Sequence, residues 1–343
     1  MSGVKVLKIG PAASVQDLGR PGLLDQGVPR GGAADPLALA EGAALLQQDP
    51  GFAALEMAGM GGSFEATGAL RIALTGAPMS ATLDGAALIW NASYRIEAGQ
   101  RLEIGPARRG VYGYLHLGGG IDVPSVLGAR ATHLAAGLGK ATVAGDVLVA
   151  GQDSGAETGL TLPVQDRFQG GDVRIVESFQ SELFSPDVRA RFAETAFRRG
   201  TRANRMGVEM LSDSEGFAAD GQLNILSEII VPGDVQMTGD GKPFVLLREA
   251  QTTGGYPRIG TVLPCDLPKV AQAQAGAPFR FRWVSLEDGL RLQAKHEKDL
   301  RALPGACRPL LRDPGAIQDL LSYQLISGAV SATADPFGTG EVK

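Results

Sequence analysis

Sulfur and imidazole are scarce in this chain. Cys265 and Cys307 are the only cysteines in 343 residues, and His116, His133 and His296 the only histidines. Two thiols cannot build a disulfide framework or a Cys-x-x-Cys zinc cluster, although they could form one disulfide; no metal site is expected. Aromatic residues make up only 6% of the chain. No stretch approaches the roughly 18 to 20 apolar residues that a membrane span requires. The start, Met1-Ser2-Gly3-Val4-Lys5, lacks the apolar run of a signal peptide, which points to a cytoplasmic protein. Lys and Arg number 32 against 37 Asp and Glu, a net charge of -5. The cations are scattered, with no basic stripe to hold nucleic acid or a membrane surface.

Several catalytic signatures are also missing. Gly137-Leu138-Gly139-Lys140-Ala141 fails as a phosphate-binding loop, both in its spacing and in the residue after the lysine. There is no G-x-S-x-G nucleophile elbow and no His-Glu-x-x-His. No Met-Lys-Met biotin-attachment motif occurs, so the chain should not itself carry biotin.

What the chain has in quantity is turn formers, 48 Gly and 20 Pro. That usage suits short strands joined by many turns, and a length that fits two domains or one large one. Val4–Ile9 alternates as a strand. A Gly/Pro/Arg-rich loop follows, from Asp17-Leu18-Gly19-Arg20-Pro21-Gly22 to Gly31-Gly32. Asp35-Pro36 reads as an N-cap and first-turn proline, and Asp49-Pro50-Gly51 ends the helix. From about 52 to 150 the pattern is short strands. Asp84-Gly85 carries a type I′ hairpin signal. Residues 111–117 alternate, with Val111, Gly113, Leu115 and Leu117 on one face and Tyr112, Tyr114 and His116 on the other. The polar, Gly-rich stretch 151–170 is the best linker candidate. Ser185-Pro186 opens a helix that turns Phe192 inward, strands resume near 225, and Ser285 opens a helix in which Glu287 precedes Arg291 by four. A last helix is expected over residues 316–327. A weak echo between Tyr112–Gly120 and Phe244–Gly255 suggests two related β-rich halves. The expected organisation is an N-terminal β-rich lobe (1–160), a second β lobe (161–285) and a helical extension (286–343).

Four places carry candidate chemistry. The first is Gln251-Thr252-Thr253-Gly254-Gly255-Tyr256-Pro257-Arg258. Adjacent glycines let the backbone approach a ligand and turn with positive φ. The threonine hydroxyls offer hydrogen bonds, Tyr256 stacks or donates, and Arg258 is suited to a carboxylate. A structural turn closed by a proline accounts for the same residues equally well. The second is Asp17 with Arg20, three apart on a Gly-flanked loop, where the two could grip a urea-like or amide group from both ends; an internal ion pair pinning the loop is the simpler account. The third is His116, a general-base candidate by its ordinary pKa, although a lone strand histidine is more often structural. The fourth is Cys265, more simply a buried small hydrophobe than a nucleophile.

In combination these segments resemble the allophanate hydrolase subunit 2 family, which includes the C subunit of 5-oxoprolinase. The resemblance rests on Gln16-Asp17-Leu18-Gly19-Arg20, Gly27-Val28-Pro29, the Gly-Ala-Ala-Asp ending at Asp35, Leu55-Glu56 and Leu74-Thr75-Gly76-Ala77. Tyr114-Leu115 with Gly118-Gly119-Gly120-Ile121, then Leu127–Thr132, are similar to its middle block. Asn204-Arg205-Met206-Gly207, Gln251–Tyr256, Asp266-Leu267 and Ala271-Gln272 are similar to its later blocks. The likeness covers about residues 4–285. Two departures stand out: Arg130-Ala131-Thr132 lies where the family has serines, and Gly233–Thr238 keeps Gln236 but lacks a following proline.

The resemblance implies a mainly β fold with a few helices, two cyclophilin-like β-barrel lobes in pseudo-duplicate arrangement. It implies a subunit that works with partner chains on a small-molecule amide. One partner is a subunit-1-type protein, like KipI or the B subunit of 5-oxoprolinase. The other is a LamB/YcsF-type protein, the A subunit of such a complex. The leading expectation is an ATP-dependent 5-oxoprolinase-type complex that opens a cyclic amide to glutamate, with ATP in the complex and its site not located in this chain. In that setting Asp17, Arg20, Thr252, Thr253 and Tyr256 are the candidate catalytic residues. His116, Gln251, Gly254, Gly255 and Arg258 are the candidate substrate-binding residues. One alternative is a biotin-dependent carboxyltransferase acting on urea or a related amide, with biotin on another chain. The other is a KipA-like regulatory binding protein that antagonises a kinase inhibitor.

Overall fold

The computed structural model describes residues 2–219 and 226–310. The helix expected over residues 316–327 lies outside the described residues.

Strands dominate, and the described residues also contain four α-helices, α1 (Pro36–Leu46), α2 (Pro186–Glu194), α3 (Leu267–Gln272) and α4 (Leu286–Ala306). In the first half the strands divide between two sheets. A six-stranded sheet runs in the order Val147–Val149, Gly3–Ile9, Gly62–Ala66, Arg101–Ala107, Met79–Leu83, Ala86–Ala87. A seven-stranded sheet begins Ser14–Gln16, Ala54–Ala58, Tyr112–Leu117, Leu70–Gly76, Ala92–Ile96 and ends with Leu160–Thr161 and Arg308–Pro309. In the second half seven strands close a barrel, in the order Gly171–Val176, Arg258–Val262, Asp234–Met237, Pro243–Leu246, Gly207–Leu211, Phe197–Ala203, Pro278–Trp283. The last strand returns to the first in parallel, and that pairing completes the closure.

The alternation of residues 112–117 explains why this strand is central. Leu115 and Leu117 pack with Val4, Phe64 and Leu102 between the two sheets. Tyr112 and Tyr114 point the other way, into a cluster shared with Ala38 and Leu39 of α1 and with the barrel interior. Both faces are therefore buried, and His116 on the second face is closed off as well. Inside the barrel Phe192 from α2 stacks on Phe281, with centroids 4.9 Å apart, and meets Phe197 and Phe217.

The capping signals hold. Asp35 accepts from Ala38 N at 3.3 Å, Ser185 from Val188 N at 3.3 Å and Ser285 from Asp288 N at 3.1 Å. Asp84 and Gly85 both take positive φ, as a type I′ turn requires. In α4 Arg291 pairs with Asp288 at 2.7 Å, an i,i+3 contact, in place of the expected Glu287.

Polar side chains stitch the sheets to the barrel. Arg205 pairs with Glu56, with Glu249 at 2.6 Å and with the Gly32 carbonyl at 2.6 Å. Gly31 N donates to Arg248 O at 3.1 Å. Gln272 of α3 accepts from Val111 N and Tyr112 N and donates to Asp35 at 2.8 Å. The stretch 151–170 is anchored at its end. Arg167 is buried, donating to Asp35 at 2.6 Å and bidentately to Glu41 at 3.0 and 2.8 Å. Burial works against its charge, but Asp35 and Glu41 outweigh that and raise its pKa.

Candidate functional site

Thr253–Gly254 forms a short ribbon with Glu228–Ile229, and Ile230 N donates to Thr252 O at 3.0 Å. Gly254 acts through closeness, and neither glycine adopts the expected positive φ. A Cβ at Gly254 would stand 2.6 Å from Gln236 Nε2, so only glycine lets the ribbon lie against that amide. Gln251, Thr253, Gly255 and Tyr256 are exposed, and Thr252 is half-buried.

Arg258 corrects one expectation. Its guanidinium is buried and paired with Glu228, with Asp234 at 3.4 Å and with the Ile229 carbonyl at 2.9 Å. Gln180 Oε1 takes its Nε at 3.2 Å. With these partners in place it ties the ribbon to the barrel wall and leaves no fork for a substrate carboxylate.

Asp17 and Arg20 do pin their loop, though not through an ion pair with each other. Asp17 accepts from Gly19 N at 2.8 Å and from Arg130 N at 2.6 Å. Arg20 is 1% exposed and donates to the carbonyls of Ala131 and Val126. Its Nη1 has no hydrogen-bond partner.

His116 lies under α1, where Nε2 meets Thr75 Oγ1 at 2.7 Å and the ring rests against Gly42. Burial drives its pKa down to about 3, so the ring stays neutral and away from solvent. Its place is structural, and it does not join the 251–256 segment. Burial pushes the Cys265 thiol pKa up, contrary to what a nucleophile needs.

The residues that gather around open space are partly different ones. A cleft of about 430 Å³ opens on the barrel, lined by Arg202, Asn204, Gln236, Gln251 and Tyr256 over an apolar floor that includes Met206 and Leu246. Its volume falls in the range of small-molecule sites. Gln236 is 8% exposed, and its Nε2, an amide donor, has no partner. A buried donor without an acceptor costs about 1–3 kcal/mol, which a ligand oxygen would recover. Arg202 lies over the Phe244 ring at 5.2 Å, with its side chain largely exposed and only a 3.5 Å contact to Glu209. Asn204 Oδ1 accepts from Met206 N at 2.8 Å and from Gly207 N at 3.3 Å, turning the chain at the cleft edge. The lining therefore combines neutral amide groups and one cation with an apolar base.

Gln251 and Tyr256 line this cleft. Asp17, Arg20, Thr252, Thr253 and His116 are not among its lining residues. The Asp17–Arg20 loop is nonetheless joined to the barrel through Gly31 and Arg248, close in sequence to Ala250 and Gln251 at the cleft wall. Arg202 was missed because Phe197–Ala203 carries three arginines and no apolar alternation to mark it as a strand. Gln236 surfaced only through the family likeness, since a lone Gln in a buried strand has no spacing to mark it.

A carboxyltransferase domain model, subdomain A and B, matches residues 26–283. The chain is 32% identical over 301 residues to the C subunit of 5-oxoprolinase from Escherichia coli, covering 86% of this chain and 96% of that protein. It is 27% identical over 341 residues to a putative urea carboxylase of Emericella nidulans, covering 94% of this chain but 27% of that protein. The fold matches the crystal structure of Kluyveromyces lactis urea carboxylase with a TM-score of 0.77 at 24% identity, over 91% of this chain and 31% of that one. Among the described residues no helix is long and apolar enough to cross a membrane.

Proposed function

Because this chain belongs to the carboxyltransferase domain family, subdomain A and B, we propose that it is the C-type subunit of an ATP-dependent 5-oxoprolinase-type complex, which opens a cyclic amide to glutamate. What carries this reading is the reach of the match. It spans 96% of the E. coli 5-oxoprolinase C subunit, against 27% of the putative urea carboxylase.

The chemistry of the cleft supports it. A lactam carbonyl is a poor electrophile and needs activation, which ATP supplies in the assembled complex. The partners proposed are a subunit-1-type chain and a LamB/YcsF-type chain. This chain's part is to bind and orient. The free Gln236 amide is placed to donate to the lactam oxygen, where charge builds as the ring opens. Arg202 holds the substrate carboxylate, and Tyr256 covers the planar ring from the rim. Pairing a carboxylate with an amide oxygen across one small cleft is what 5-oxoproline requires.

The test is reconstitution with all co-encoded chains. ATP hydrolysis that depends on 5-oxoproline is expected, and its absence from the full complex would refute the proposal. A second reading, carboxyl transfer from carboxybiotin to urea or a related amide, draws on the 94% of this chain that aligns with the putative urea carboxylase. It requires a biotinylated partner, so turnover that avidin leaves untouched excludes it.

A further inference from the structure

Away from the cleft, two buried donors belong to residues that meet the same glycine, and neither has an acceptor. Arg20 is 1% exposed and His133 4%, and both Arg20 Nη1 and His133 Nε2 lack hydrogen-bond partners. His133 caps the short turn Leu134–Ala136 by accepting from Ala136 N at Nδ1, 3.3 Å away. Accepting at Nδ1 leaves the ring proton on Nε2, so the unpaired nitrogen is a donor. Arg20 Nη1 is likewise a donor only.

Both side chains lie beside Gly31. A Cβ built there would come within 4 Å of just two atoms, Arg20 Nη1 at 3.3 Å and His133 Cδ2 at 3.9 Å. A glycine with φ +61 thus keeps a side chain out of the position beside Arg20 Nη1 and the His133 ring edge that carries Nε2. The acids nearest Arg20 do not fill it. Asp17 has both oxygens on backbone amides, those of Gly19 and Arg130, and Glu249 is paired with Arg205. Arg30, whose carbonyl receives Arg20 N, forms no ion pair among the described residues and adds to the positive surroundings.

We infer that Arg20 and His133 form a binding site for a small oxyanion, seated over Gly31 and separate from the barrel cleft. Two neighbouring buried donors, one of them charged, and no acceptor call for an anionic oxygen. Phosphate and a carboxylate share that chemistry. The site would place such a group where the 17–32 loop meets the barrel, beside the Gly31–Arg248 hydrogen bond. Arg20 would then act away from the cleft.

The experiment uses the full chain and needs no partner, so its result is independent of the proposed reaction. Thermal unfolding and calorimetric titration are run with inorganic phosphate and, in parallel, with acetate, against chloride at matched ionic strength. His133→Asn keeps an oxygen to cap Ala136 N but removes the Nε2 donor. Gly31→Ala keeps both donors and fills the space. Phosphate or acetate should raise the unfolding temperature of the parent chain. Both variants should bind that anion about tenfold more weakly or worse, as expected for a lost charge-assisted contact. The anion that binds identifies the source, phosphoryl or carboxylate. Binding undiminished in either variant would overturn the inference, and so would equal responses to all three anions, which mean that no oxyanion is held there.

Discussion

Gln272 Nε2 donates to Asp35 Oδ2 at 2.8 Å, and this bond joins α3, beside the barrel, to the N-cap of α1 on the first-half sheet. Both residues are fully buried. Asp35 uses its other oxygen on Ala38 N and receives Arg167 on the same oxygen as Gln272. The helix cap is therefore also the point where three distant parts of the chain meet. Several segments that marked the family likeness turn up at this seam, including Glu56, Tyr114, Arg205 and Gln272. Glu56 Oε2 takes both Ala34 N and Tyr114 OH.

Replacing Gln272 with leucine should destabilise the protein by about 3 kcal/mol, because Val111 N and Tyr112 N lose their acceptor inside the core. Urea unfolding measures this. A change under about 0.5 kcal/mol, typical of surface substitutions, would contradict the staple.

Arg167→Met should cost more, about 3–5 kcal/mol, since it strands Asp35 and Glu41 as buried carboxylates without a cation. Adding Glu41→Gln should recover part of the loss. Strict additivity of the two changes would argue against direct coupling.

His116 gives stability a pH dependence. Its folded pKa is depressed to about 3 from the ordinary 6.5, so between those values the unfolded chain holds a proton that the folded ring lacks. The stabilisation is complete above the ordinary pKa and falls as pH drops, by about 1.4 kcal/mol per unit. His116→Gln should flatten that part of the profile. Unfolding series with identical slopes for parent and variant between about pH 6 and 4 would disprove the assignment.

At the cleft, Gln236→Met should lower the rate constant of the assembled complex by about a hundredfold while leaving thermal stability unchanged or higher. The stability half follows from removing a buried donor that has no partner. A variant that is fully active removes Gln236 from the chemistry.

Arg202→Ala should raise KM about tenfold or more with a smaller effect on kcat, because it holds a part of the substrate that does not react. Steady-state kinetics with 5-oxoproline as the varied substrate separates the two. An unchanged KM would assign the carboxylate to another group.

Much of the fold was legible locally. Asp35, Ser185 and Ser285 each stand where a side-chain oxygen meets a free helix amide, which needs only neighbours in sequence. Asp84-Gly85 likewise bends the chain without outside help. Other elements were not readable this way. Phe197–Ala203 carries three arginines and becomes a strand because its neighbours in the closed barrel supply its ladder bonds. α3 has six residues, too few for a periodic pattern, and is held by packing of Leu267, Val270 and Ala271.

The candidate site divides in the same way. The Gln251–Tyr256 segment drew notice for its composition, and two of its residues border the cleft. The roles of the arginines were not open to the same reading. Arg20, Arg202 and Arg258 look alike in a sequence, yet one is buried with a free nitrogen, one rides on an aromatic ring at a cleft and one is consumed by two carboxylates.

The sequence by itself determined the turns, the caps, the alternating central strand and the family to which the chain belongs, because these depend on residue type and short spacing. Only the tertiary structure decided which polar groups are satisfied and which face open space. A guanidinium or an amide becomes a binding group or a structural tie according to the partners that barrel closure and strand pairing bring within about 3 Å.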